Sequence, residues 1–114
     1  MNRMKKRLIL LSDLWGKEKS MWVEPYVELL QSEFQIQYYD CCELGGIEKS
    51  NYAQERLHKQ FVSGGIERAV EELLKKEKGI INILAFSIGG TIAWKAGLRG
   101  LKIENLFGVS ATRL

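Results

Sequence analysis

Four short apolar runs punctuate the chain, and the stretches between them carry helical spacing. Residues 7–12 (RLILLS) are apolar without alternation, the pattern of a strand covered on both faces. Residues 34–40 (FQIQYYD) alternate, with Gln35 and Gln37 between Phe34, Ile36 and Tyr38, which suits a strand nearer a sheet edge. Residues 80–86 (IINILAF) are apolar apart from Asn82 and read as a central strand, and residues 103–109 (IENLFGV) as a fourth.

Between the first two strands, Trp22, Tyr26, Leu29, Leu30 and Phe34 recur at helical spacing. Ser20 is the expected N-cap, and Pro25 falls in the first turn, where its missing N–H costs nothing. Ile66, Ala69, Val70, Leu73 and Leu74 form a stripe at i, i+3, i+4, i+7 and i+8. Glu71–Lys75 and Glu72–Lys76 are i,i+4 pairs in the favourable order, and Gly79 is the expected stop. A shorter helix is expected over 52–61, and another over 90–98, closed by Arg99-Gly100. No internal repeat or low-complexity stretch interrupts this order.

Strands alternating with helices across short connections predict an α/β fold: three αβα layers around a mostly parallel sheet of about four strands. If the first crossover goes to one side of the sheet and the later one to the other, the strand order is second–first–third–fourth. The switch point then lies between the first and third strands, at their C-terminal ends, where open α/β sheets bind ligands. Loops 13–16 and 86–90 emerge there.

Composition narrows the function classes. A chain of 114 residues, 46% apolar and 27% charged, suits a single folded domain over 1–114 and excludes general disorder. A net charge of +3 is too small and scattered to argue for nucleic acid. Basic residues precede Leu8-Ile9-Leu10-Leu11 as in a signal peptide, but the apolar run stops at Ser12-Asp13, short of an h-region. No run is long enough to cross a bilayer, so no membrane partner and a cytoplasmic location are expected. The two cysteines, Cys41 and Cys42, are adjacent and read as free thiols, with a vicinal redox pair as the alternative. With His58 the single histidine, no His-rich metal site can be built, and no cofactor is implied.

The stretch that carries chemistry is Leu84-Ala85-Phe86-Ser87-Ile88-Gly89-Gly90-Thr91, between a buried strand and a helix. It resembles the nucleophile elbow of the α/β-hydrolase superfamily, G-x-S-x-G, with Ala85 in place of the first glycine. Residues two before and two after such a serine must be small to let the backbones pass, and Ala85 and Gly89 are. A plain glycine-rich turn and a phosphate-cradling loop are the alternatives, although the Walker lysine is absent and G-x-G-x-x-G does not fit.

Two more stretches resemble the same family. Leu10-Leu11-Ser12-Asp13-Leu14-Trp15-Gly16, with Met21-Trp22 after it, matches the oxyanion turn, Ser12-Asp13 replacing the usual His-Gly. Asp40-Cys41-Cys42-Glu43-Leu44-Gly45-Gly46 is similar to the family's Asp-x-x-Gly-x-Gly loop. The resemblance runs from about Leu8 to Ser110. It implies a serine hydrolase of esterase or thioesterase type acting on a small acyl substrate. Ser87 would be the nucleophile, Ile88 and Leu14 the oxyanion N–H donors (Trp15 if the loop shifts by one), and Ala85, Gly89 and Gly90 the elbow. Asp13 and Trp15 would flank the pocket.

The family places an acid and then a histidine after the serine. Here no histidine follows Ser87, the acid that does, Glu104, falls at the wrong end of the sheet, and His58 reads as a solvated helix residue. The chain is therefore expected to be the N-terminal portion of a hydrolase-like protein that hydrolyses little by itself. Leu106, Phe107 and Val109 would form an apolar edge strand, which invites association. A non-catalytic α/β interaction domain, forming a homodimer through that edge, is the competing reading.

Overall fold

Every second side chain of the first strand faces one side of the sheet, and both sides of it are buried. Leu8 and Leu10 point to one layer, Ile9 and Leu11 to the other. The computed structural model describes residues 5–49 and 53–109. Within it, β1 (Lys6–Leu11), β2 (Phe34–Tyr39), β3 (Ile81–Phe86) and β4 (Ile103–Val109) form one all-parallel sheet in the order β2-β1-β3-β4. This is the predicted order, with the central pair β1 and β3 in register at Leu11 and Ala85. The polar exception in β3 is satisfied: Asn105 Nδ2 on β4 donates to Asn82 Oδ1 at 2.9 Å.

The helices are α1 (Glu24–Leu30), α2 (Cys41–Leu44), α3 (Gln54–Gln60), α4 (Ile66–Lys76) and α5 (Ile88–Leu98). On one face, Ile9, Leu11, Ile83 and Ala85 pack with Ala69, Val70 and Leu73 of α4 and Ile92, Ala93 and Ala96 of α5. On the other, Leu8, Leu10 and Phe86 pack under Val23 and the half-buried Val27 and Leu30. The expected start of a helix at Tyr52 and the tail from Ser110 lie outside the described residues. No helix among the described residues is long and apolar enough to cross a membrane.

Four local expectations are corrected. The inward stripe of α1 is Val23, Val27 and Leu30, not Trp22, Tyr26 and Leu29: Leu29 is 75% exposed. Trp22 and Tyr26 lean across the end of the sheet onto the Phe86 ring instead, with centroids 5.0 and 6.1 Å away. Ser20 caps nothing. Two 3-10 turns, Lys17–Lys19 and Met21–Val23, flank it, and its hydroxyl donates to the Gly16 carbonyl at 2.8 Å.

Helix α4 ends at Lys76, before Gly79, because Glu77 leaves the helix with extended angles. Its buried carboxylate accepts two hydrogen bonds from Arg7, at 2.7 and 2.9 Å, and a short one from the Tyr39 hydroxyl. Burial opposes the charged form, but the bonds from Arg7 and Tyr39 outweigh it and hold the carboxyl below its ordinary range. On the surface of the same helix Lys75 pairs with Glu72 at 3.7 Å, an i,i+3 contact rather than the expected i,i+4.

Candidate active site

Strand β3 delivers Ser87 to the rim of the sheet. Phe86 is buried as the last strand residue, and α5 starts at Ile88, so a single residue must reverse the chain. Ser87 does so with φ 53° and ψ −117°, the only positive φ among the described non-glycine residues. Such a conformation costs on the order of 1–3 kcal/mol and persists only where the surroundings enforce it. Here Ser87 N–H donates to the Val109 carbonyl at 2.8 Å and Gly90 N–H to the Ser87 carbonyl at 2.9 Å.

Gly89 explains why the turn can close. A Cβ there would stand 2.8 Å from the Ser12 carbonyl oxygen and 2.9 Å from Leu11 Cβ, so only glycine lets α5 cross the end of β1. Ala85 is fully buried where β3 passes between Leu11 of β1 and Gly108 of β4. Gly90 differs from its expected role, since a Cβ there meets open space. It lines the hollow in front of Ser87 and is not demanded by packing.

That hollow, of about 410 Å³, is walled by Ser87, Gly90, Thr91, Trp94, Lys95, Gly108 and Val109, on the β4 side of the serine. Ser87 is exposed to it. A larger, more polar hollow of about 490 Å³ lies at the opposite sheet edge, between Lys17, Tyr38, Asp40, Glu72 and Lys76, with no serine, threonine or cysteine among its lining residues.

The neighbouring loop rises from β1, beside Ser87. Ile88 N–H, first in its helix, has no acceptor within that helix. Leu14 N–H makes no hydrogen bond among the described residues, whereas Trp15 N–H donates to Asp13 Oδ1 at 2.9 Å. Of the two candidate donors in this loop, Leu14 is thus the one left available. Asp13 is buried at 2% exposure and braces the loop, its Oδ1 also 3.3 Å from the Ser20 hydroxyl. Trp15 packs half-buried against the main core. Neither is among the residues that wall the hollow at Ser87.

The missed residue is Asp40, which the pattern placed at the end of the second strand and the resemblance in a loop; the strand ends at Tyr39 instead. Its Oδ1 caps α2, accepting from Cys42 N–H at 2.7 Å and Glu43 N–H at 3.3 Å. Its Oδ2 accepts from Lys17 N–H at 3.0 Å and from Lys49 Nζ at 3.4 Å. One buried carboxylate thereby ties the loop after β1 to the loop after β2. The spacing Asp40-x-x-Glu43 is a capping-box signature that could have revealed it.

Both thiols are free and buried. Burial pushes Cys41 far above the usual thiol range; burial, reinforced by the Asp40 charge, takes Cys42 up to about 12. Cys42 Sγ donates to the Leu14 carbonyl at 3.2 Å, so this side chain supports the loop and is no thiolate at neutral pH.

His58 is exposed on α3, and Glu104 pairs with Lys6 at 2.7 Å at the far end of β4 from Ser87. Neither lines the hollow. Among the described residues, no imidazole or carboxylate hydrogen-bonds the Ser87 hydroxyl, and no group of three or more potential ligands is placed to hold a metal. The chain matches no family model, no curated protein and no solved structure.

Proposed function

We propose that the chain is α/β-hydrolase-like, with Ser87 as the nucleophile of a cytoplasmic serine hydrolase of esterase or thioesterase type. The observation that carries this reading is the left-handed, exposed Ser87 at a strand-to-helix reversal that only Gly89 allows. A structural turn has no need of a strained serine where glycine costs nothing.

In this reading Ser87 Oγ adds to the carbonyl carbon of a small acyl ester or thioester, and its proton passes to a base. The carbonyl oxygen takes the electron pair and is held by Ile88 and Leu14 N–H. Collapse expels the alcohol or thiol, which recovers the proton, and water then releases the acid from Ser87. The backbone donors are worth about 3 kcal/mol each in such sites. The base is the part that the described residues do not supply at Ser87, so the chain turns over slowly by itself.

Chemical rescue tests this. With an activated ester or a fluorophosphonate, added imidazole is expected to accelerate acylation or phosphonylation of Ser87, read by peptide mass spectrometry against Ser87→Ala. Equal modification in the alanine variant, or adducts on other serines alone, would sink the proposal.

A further inference from the structure

The two edges of the sheet are built differently. At β2 the side chains alternate with exposed Gln35 and Gln37, and Phe34, Ile36 and Tyr38 sit half-buried beside α1. From Asn105 to Val109, β4 carries no charge and no proline, devices that usually stop an edge from pairing. Since the Val109 carbonyl faces β3, ladder alternation turns the N–H and C=O groups of Leu106 and Gly108 outward.

Apolar side chains flank this edge on both faces. On one, Phe107 is 60% and Val109 39% exposed. On the other, Trp94 and Leu98, one helical turn apart on α5, are 64% and 74% exposed. Beside them runs an uncharged hollow of about 240 Å³, lined by Ala93, Gly97, Ile103 and Leu106 as well. A ridge thus lies next to a groove of the same chemistry.

We infer that the chain pairs with a second copy of itself through the open edge of β4, the two strands antiparallel. The Trp94–Leu98 ridges of the two α5 helices pack across the two-fold axis. Only an antiparallel pairing of identical strands keeps both copies equivalent in a closed dimer. It joins the two sheets into one of eight strands and pairs the outward groups of Leu106 and Gly108.

The areas are of the right order. With roughly 150–250 Å² per aromatic side chain, Trp94 and Phe107 together expose about 250 Å². Leu98, Val109 and the strand backbone bring the patch toward the ~800 Å² per partner of a standard interface. Because α5 runs opposite to β4, the pairing also sets the Leu98 end of one copy beside the Ser87 end of the other. Each hollow at Ser87 then gains a wall from the partner. The association itself does not depend on Ser87 being a nucleophile.

Sedimentation equilibrium from low micromolar to high micromolar concentration reads the outcome. The unmodified chain is expected at twice the monomer mass. Trp94→Lys with Leu98→Lys should weaken the dimer at least tenfold, while Val62→Lys, at a 65% exposed apolar site away from β4, should leave it unchanged. Phe107→Lys, on the other face of the same strand, carries the same expectation and decides the matter should the double variant lose its helical circular dichroism. A monomer throughout overturns the inference, as does a dimer indifferent to the α5 and β4 substitutions.

Discussion

Gly89 rests on Ser12: the position a Cβ would take on residue 89 is 2.8 Å from the Ser12 carbonyl oxygen. This contact fixes how closely α5 crosses β1, and with it the strained turn that exposes Ser87. Adjacent Gly90, by contrast, has open space where its side chain would be.

The two glycines therefore respond oppositely to alanine. Gly89→Ala forces the helix away from β1 and is expected to cost about 1–3 kcal/mol through overpacking. Gly90→Ala removes a helical glycine at no steric cost and should stabilise by roughly 0.5–1 kcal/mol. Urea unfolding midpoints separate the two, and a shared sign would contradict the packing at Gly89.

The same comparison shows what was legible in the chain. The strand positions and the turn at Ser87 follow from local signals: continuous apolar runs, and small residues two before and two after a serine. Features set by distant partners were not legible. The end of α4 depends on Arg7, which draws Glu77 out of the helix from 70 residues away. The phase of α1 is not legible because Trp22 and Tyr26 look like core residues, yet they cover Phe86 from the side while the smaller Val23 and Val27 face inward. Asp13 sits at the expected place, but its hydrogen bonds turn it into the loop and not toward the hollow.

Asp40 holds two loops with one carboxylate, so its removal strips the α2 cap and leaves Lys17 N–H without its acceptor. Asp40→Ala is expected to lower stability by about 2–3 kcal/mol. Asp40→Asn keeps an oxygen for the cap and should cost about half as much. Denaturant titration checks both, and an Asp40→Ala variant within 0.5 kcal/mol of the parent, ~0.5 being typical of surface changes, would remove Asp40 from this role.

Acid should unfold the protein partly through Glu77. Its folded value lies below the unfolded one of about 4.3, so the unfolded chain binds more protons as the pH falls. The stabilisation is present above that unfolded value and drains away as the pH drops through the folded one. Glu77→Gln cannot be titrated: it is expected to be less stable at pH near 7 but to show a shallower loss toward acid. Thermal midpoints along an acid series test this, and parallel curves for the two proteins would refute it.

Alkali acts on the opposite side through Cys42 and Tyr39. Burial, joined by the Asp40 charge for Cys42 and by the bond to Glu77 for Tyr39, raises both to about 12. Unfolded thiols and phenols ionise near roughly 8.5 and 10, so above those values the folded chain retains protons that the unfolded chain has lost. Stability is full below the unfolded values and falls as the pH climbs toward 12. For the same reason iodoacetamide at neutral pH should leave Cys41 and Cys42 unmodified in the folded protein and alkylate both in urea. Mass spectrometry of the two peptides distinguishes these states, and rapid native alkylation would show that the thiols are not held beneath the loop after β1 as Cys42 Sγ on the Leu14 carbonyl requires.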